Sequence, residues 1–161
     1  MRNSAITVFA GLLSIMAASA ASAAFTLASV RGAYIFEASG TEIFSGDKFD
    51  VRGAGLTIFD GKGNLSGKET FTGTDTSGTA FVCTLSISGT YQVNSDGTGS
   101  SVANFTTTSG ICPNTTINFF GVGNRGETDI ETVTTGATDA SANGGTNSIN
   151  ALVMHARFIK Q

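Results

Sequence analysis

The chain has 161 residues, of which 40% are hydrophobic but only 13% charged, with 21 Gly, one Pro and no Trp. Its single charged residue before Ala24 is Arg2; without it, eight basic and twelve acidic side chains remain, a net charge of −4 that argues against nucleic acid as a partner. One domain accounts for the length.

The first element is a segment to be removed. Arg2 precedes an apolar stretch from Ala5 to Met16, and the small residues Ala21-Ser22-Ala23 follow. That order predicts a cleavable signal peptide over 1–23, cut after Ala23 with Ala20 as second choice, and a mature domain over 24–161. The apolar stretch is too short to span a bilayer, and no later run approaches eighteen apolar residues. No Cys follows the small-residue run to take a lipid. The expected product is secreted or periplasmic and not membrane-spanning once processed.

Beyond Ala24 the apolar residues alternate with period two, and no helical spacing persists for three turns. Eight strands are expected: 30–38, 49–59, 63–72, 79–93, 98–107, 116–122, 128–135 and 149–159. The alternation is clearest in the fourth, where Phe81, Cys83, Leu85, Ile87, Tyr91 and Val93 share one face. Asp60-Gly61 and Asp96-Gly97 mark tight hairpins, because Gly accepts positive φ without penalty. Both lie in the frame Gly, apolar strand, Asp-Gly-x-Gly, polar strand, which reads as a hairpin repeat. They lack the further carboxylates of a calcium loop. Gly32, Gly53, Gly55, Gly67, Gly89 and Gly121, inside the runs, are expected at bends or bulges. Eight strands joined by hairpins predict an all-β, antiparallel up-and-down barrel, with a β-sandwich as the alternative.

The only cysteines, Cys83 and Cys112, form an even pair in an exported chain and predict a disulfide. A hairpin centred on Asp96-Gly97 sets Cys83 opposite Gly110, two residues short of Cys112. Two bulges on the fifth strand, at Gly99 and Gly110, would restore the pairing. The segment 136–147, with nothing apolar larger than Ala, is expected to be a mobile surface loop.

Val30-Arg-Gly32-Ala-Tyr34-Ile-Phe36, Phe59-Asp60-Gly61-Lys-Gly63-Asn64 and Gly89-Thr-Tyr91-Gln-Val93-Asn-Ser-Asp96-Gly97-Thr-Gly99 together resemble uncharacterised secreted bacterial β-proteins in which Gly-x-Tyr strands alternate with Asp-Gly-x-Gly hairpins. The similarity covers 30–99 and brings no activity with it. A looser likeness to calycin-type barrels rests on strand count alone.

Candidate chemistry is sparse. His155, the only histidine, alternates with Val153 and Arg157 on the face opposite Leu152, Met154, Ala156 and Phe158, which marks it as solvent-facing. No nucleophile can be assigned to it. One His and two cysteines committed to a disulfide leave too few zinc ligands. Glu127, Asp129 and Glu131 share a face and read as a solvated, edge-protecting row rather than a cation site. Glu37, Glu42, Asp47 and Asp50 gather around the first long loop and are read the same way. No catalytic residue, metal site or cofactor is therefore predicted, and the chain is expected not to be an enzyme. Phe36, Phe59, Phe71, Phe81, Phe105, Phe119 and Phe158 supply about one ring per strand, enough to fill a small core or to line a cavity. The leading expectation is an exported barrel holding a small hydrophobic molecule. The alternative is a structural or interaction protein of the envelope or extracellular space, with a filled core and an envelope protein as partner.

Overall fold

The computed structural model describes residues 24–44, 47–124, 128–140 and 151–161. They form eight strands: β1 (Gly32–Phe44), β2 (Asp47–Phe59), β3 (Asn64–Asp75), β4 (Ala80–Val93), β5 (Thr98–Ser109), β6 (Asn114–Gly123), β7 (Asp129–Ala140) and β8 (Ala151–Lys160). Each pairs antiparallel with the next, and β1 pairs with β8 from Tyr34↔Lys160 to Ile43↔Ala151. The sheet is a closed up-and-down barrel, not a sandwich. Closure pairs β8 with β1 on one side and, from Asp129↔Ile159 to Val133↔His155, with β7 on the other.

The alternation read from the sequence becomes the two faces of the wall. Tyr34, Phe36 and Ala38 of β1, Cys83, Leu85, Ile87 and Tyr91 of β4, and Met154 and Ala156 of β8 are buried inside. The intervening Ser and Thr residues and most charges face out, which keeps the outer wall soluble with little charge. Two strands run furthest past their expected ends. β1 continues beyond Ala38 to Phe44, and β7 continues through Gly136 to Ala140, so 136–140 is strand and not loop. Residues 141–147 of the expected mobile segment lie outside the described residues, as does Glu127. Val30, expected in the first strand, stands in a turn ahead of it and is buried.

Three hairpins share a three-residue loop closed by a backbone hydrogen bond: Asp60 N–H donates to Asn64 O at 3.0 Å, Asp75 N–H to Thr79 O at 3.0 Å, and Asn94 N–H to Thr98 O at 2.8 Å. The loops align on their last residue, Gly63, Gly78 or Gly97, each with positive φ. Asp60 therefore corresponds to Asp75 and Asn94, and Asp96 sits inside its loop. The Asp-Gly-x-Gly frame marked real hairpins but aligned them two residues out of step. From the leading position an Asp carboxylate accepts two backbone N–H groups, those of Lys62 and Asn64 for Asp60, and of Ser77 and Thr79 for Asp75. The Asn64 side-chain amide, donating to Asp60, together with these backbone bonds holds the Asp60 carboxyl down at about 2, and the Ser77 hydroxyl with the corresponding backbone bonds lowers that of Asp75.

The lower end of the barrel, where β1 begins, is closed by the segment before it. Phe25 packs on Gly97, and Val30 joins the core. Tyr91 inside the barrel holds this closure in place. Its hydroxyl donates to Leu27 O at 3.2 Å and accepts from Gly61 N–H at 3.0 Å, tying the N-terminal segment to the β2–β3 turn.

At the upper end Cys83 and Cys112 are joined, with Cα atoms 6.0 Å apart. The route differs from the expected one. The β4–β5 ladder contains one register shift, between Thr84 and Leu85, and no bulge at Gly99 or Gly110. Beyond the shift the ladder leads Cys83 toward Gly110. There the chain turns at positive φ, and Cys112 reaches back from the β5–β6 loop, its N–H donating to Cys83 Sγ at 3.0 Å. The bond ties strand to loop.

Candidate functional site

The barrel interior is not filled. Two aromatic groups occupy its ends. Phe59 meets Tyr34, Tyr91 and Phe158 edge-on, with centroids 5.2, 4.9 and 6.0 Å away, in the lower half. Phe81 meets Phe49 at 5.8 Å and Phe71 at 6.2 Å near the top. The wall also carries the small side chains Ala38, Ala103 and Ala156, and a cavity of about 140 Å³ remains. The lining is chiefly Phe, Leu, Ile, Tyr and Ala, with Cys112 and Pro113 among its upper members. An apolar cavity of about 150 Å³ in another protein stays dry and accepts a benzene ring, which sets the scale.

Two carboxyl side chains line this space. Glu69, halfway along β3, is only 4% exposed; Glu42, near the upper end of β1, is 9% exposed. Glu42 was expected on a solvated loop. It is inside because β1 runs on past Ala38 and preserves the alternation that points Tyr34, Phe36 and Ala38 inward. Glu69 is brought in by the same rule, sharing the inner face of β3 with Leu65 and Phe71. Its carboxyl lies over Gly53, where a Cβ would overlap Oε1. Gly73 makes the same kind of room for the ring of Phe81, while Gly55 lets the β3 backbone at Lys68 and the ring of Phe36 come close. Register through Gly53 and Gly55 is continuous on both sides, so these glycines are clearances on the inner wall and not the expected bulges.

Among the described residues Glu69 has neither a hydrogen bond nor an ion pair. Burial pushes its carboxyl up to about 8, so at neutral pH it is mostly the neutral acid. Thr57, on the neighbouring strand and 3% exposed, likewise has no hydrogen-bond partner among the described residues. The contrast with Thr132 is direct, since that buried hydroxyl donates to Ala156 O at 3.3 Å. A buried polar group left unpaired costs about 1–3 kcal/mol. The barrel carries two of them on adjacent strands, facing one cavity.

The residues singled out on the outer wall are engaged with each other. Arg157 Nε lies 3.0 Å from Asp129 Oδ1, its Nη2 is 2.5 Å from Oδ2, and Nε is 3.5 Å from Glu131 Oε1. His155 Nε2 lies 2.5 Å from Glu131 Oε2. These are cross-strand pairs between β7 and β8, which neighbour each other in a closed sheet, so the carboxylates protect no edge. The Arg157 guanidinium holds the Asp129 carboxyl below its usual range.

The residues missed from sequence, Glu69 and Thr57, carried one usable signal. Each occupies an apolar-face position in its strand, Thr57 two residues before Phe59 and Glu69 two before Phe71.

No protein-family model, curated protein or solved structure matches this chain.

Proposed function

We propose that this barrel binds a small, largely apolar molecule in its interior. The observation that carries the reading is the cavity itself. At roughly 24 cal/mol per Å³, an empty space of about 140 Å³ forgoes about 3 kcal/mol of packing, a large part of what holds a domain this size folded. A wall that carries Ala38, Ala103 and Ala156, where larger apolar side chains would narrow the space, is the arrangement of a ligand site. The Cys83–Cys112 bond fits an oxidising, exported location.

Native mass spectrometry of the protein from its own source tests the reading, because a bound molecule adds its mass to the folded species. Ala103→Phe, which puts a ring into the cavity, should abolish that added mass while keeping the barrel's circular-dichroism spectrum. The absence of any added mass, together with a melting temperature that small apolar molecules such as toluene leave unchanged, would overturn it.

One observation favours a second reading, in which the outer wall docks a partner. Ile35, Leu56, Ile58 and Ile159 are each more than 40% exposed, and Ile35 faces both Leu56 and Ile159 across neighbouring strands. Sedimentation velocity tests for self-association through this face, which Ile35→Lys would disrupt.

A further inference from the structure

We infer that the cavity selects an apolar primary amine, with its ammonium group on Glu69 and its hydrocarbon among the aromatic rings. The inference rests on the cavity-binding reading and adds the identity of the polar head group.

Charge inside the cavity is one-sided. Among its described lining residues the ionisable side chains are Glu42, Glu69, Tyr34 and Tyr91, and there is no Lys, Arg or His. Lys160 lies over Tyr34 with Nζ 5.8 Å from the ring centroid, reaches toward Ser29 O at 3.5 Å, and does not line the cavity. An anionic ligand such as a fatty acid would bring a further carboxylate into a low-dielectric space where Glu69 has no partner and no cation stands among the described lining residues. A purely apolar ligand would leave Glu69 and Thr57 as unpaired as they are in the empty barrel. An ammonium group supplies what Glu69 lacks: hydrogen-bond donors and a positive charge opposite the carboxylate. Gly53 fixes where the carboxyl rests, since any side chain there would displace it. The space sets the size of the rest, about one small ring or a short alkyl chain.

The proton balance of this association is its signature. At pH 6.5 the free Glu69 carboxyl is mostly protonated and the amine in solution is an ammonium ion. On binding, the carboxyl gives its proton to solvent and the ammonium keeps its own, so about one proton is released per ligand bound. An alcohol or hydrocarbon in the same cavity releases none.

Isothermal titration calorimetry of the full chain with 2-phenylethylamine, 2-phenylethanol, 3-phenylpropionate and toluene makes the test, run at pH 6.5 in buffers of different ionisation enthalpy. The amine should bind at least about tenfold tighter than the alcohol, as a charge-assisted bond does over a neutral one. It should release about one proton, and 3-phenylpropionate should bind weakest of the four. Glu69→Gln should bring the amine to within about twofold of the alcohol. If alcohol and toluene bind but the amine is no tighter, the head-group inference is overturned and the cavity-binding reading survives. If none of the four binds, both fall. Should the Gln variant not fold, the proton count on the unmodified chain decides: a value near one supports the amine, and a value near zero overturns it.

Discussion

The inner and outer walls of this barrel hold carboxyl groups in opposite ways. Outside, on β7 and β8, Asp129 and Glu131 meet Arg157 and His155 across the strands, in water. Inside, Glu69 is buried against Gly53 with no cation and no hydrogen-bond partner among the described residues. The outer pairs gain little, because solvent screens them and two mobile side chains must be held together. The inner carboxyl forfeits much more, because nothing replaces the water it has lost. The two walls therefore differ in cost: the outer pairs add little and lose little, while the inner carboxyl, on the proposed reading, is where a bound head group would recover what burial takes away.

The sharpest way to break this contrast is to remove the charge inside. Glu69 in the folded barrel titrates near 8, well above its ordinary 4.5. The native state therefore binds the proton more tightly than the unfolded chain, and the contribution is fully present below about pH 4.5. It is lost as pH rises toward 8 and stays lost above that. The ceiling on this loss is about 5 kcal/mol, reduced by whatever relaxation or water entry the barrel allows. Glu69→Gln should thus melt close to the unmodified protein at pH 4.5 and increasingly above it up to about pH 8.5. Thermal melts across that range check it, and a variant less stable at alkaline pH would mean that the carboxylate has a cationic partner.

Breaking the inner wall's covalent tie comes next. The Cys83–Cys112 bond closes a loop with a sequence separation of 29, and the chain-entropy relation gives about 3–4 kcal/mol for a loop of that length. Cys83 is buried at the top of β4 while Cys112 comes from a loop, so loss of the bond frees the β5–β6 connection before it disturbs the ladder. The double Cys→Ser variant should melt lower and show its earliest hydrogen exchange at 110–113. Exchange rising first within β4 would mean that the bond supports the strand instead.

A smaller effect is expected at the lower end, where the closure is a hydrogen-bonded latch. Tyr91→Phe removes the hydroxyl that joins Leu27 O to Gly61 N–H and should cost about 1 kcal/mol. Its more telling consequence is local: the segment 25–30 should become sensitive to protease while the barrel stays folded. A global loss of stability with no change in that segment would show that the ring, and not the latch, is what matters.

Much of this architecture was legible before any coordinates, for reasons that also explain the misses. Strand number and inward faces follow from period-two alternation, which is a local property, and β4 shows it over its whole length. Hairpin positions follow from glycines that accept positive φ, also a local property. Register is not local. Whether the β4–β5 turn has two residues or three, and where a bulge falls, shifts every partner along the ladder, which is why Cys83 leads to Gly110 through one shift near Thr84 and not to Cys112 through two. The candidate site is less local still. Glu69 could be placed on an inward face from Leu65 and Phe71 alone, but the room it occupies depends on Gly53 one strand away. The cavity depends on Ala103 and Ala156, which share only the barrel's interior with it. Glu42 was misplaced because Gly40 and Thr41 look like the end of a strand, yet the ladder to Asp50 and Val153 carries straight through them.

The smallest effect belongs to the outer wall, and it sharpens the comparison by being small. Arg157 contacts both Asp129 oxygens and Glu131, yet its side chain is about half exposed. Arg157→Ala leaves Asp129 and Glu131 facing water, which solvates them, whereas the inner carboxyl has no such recourse. The variant should therefore melt almost with the unmodified protein, and the remaining difference should vanish in about 0.5 M salt, where the screening length is only a few ångströms. The pairing with Asp129 also carries its own pH signature. Its carboxyl is held below the usual range by the guanidinium, so this contribution is present above the ordinary Asp pKa and disappears as pH falls through the lowered one. In the alanine variant the acid limb of the stability profile should shift slightly toward higher pH, while the alkaline limb set by Glu69 stays where it was. Melts across both limbs in low and high salt check this, and an alkaline limb that moved with Arg157 would show that the two walls are electrostatically coupled through the sheet.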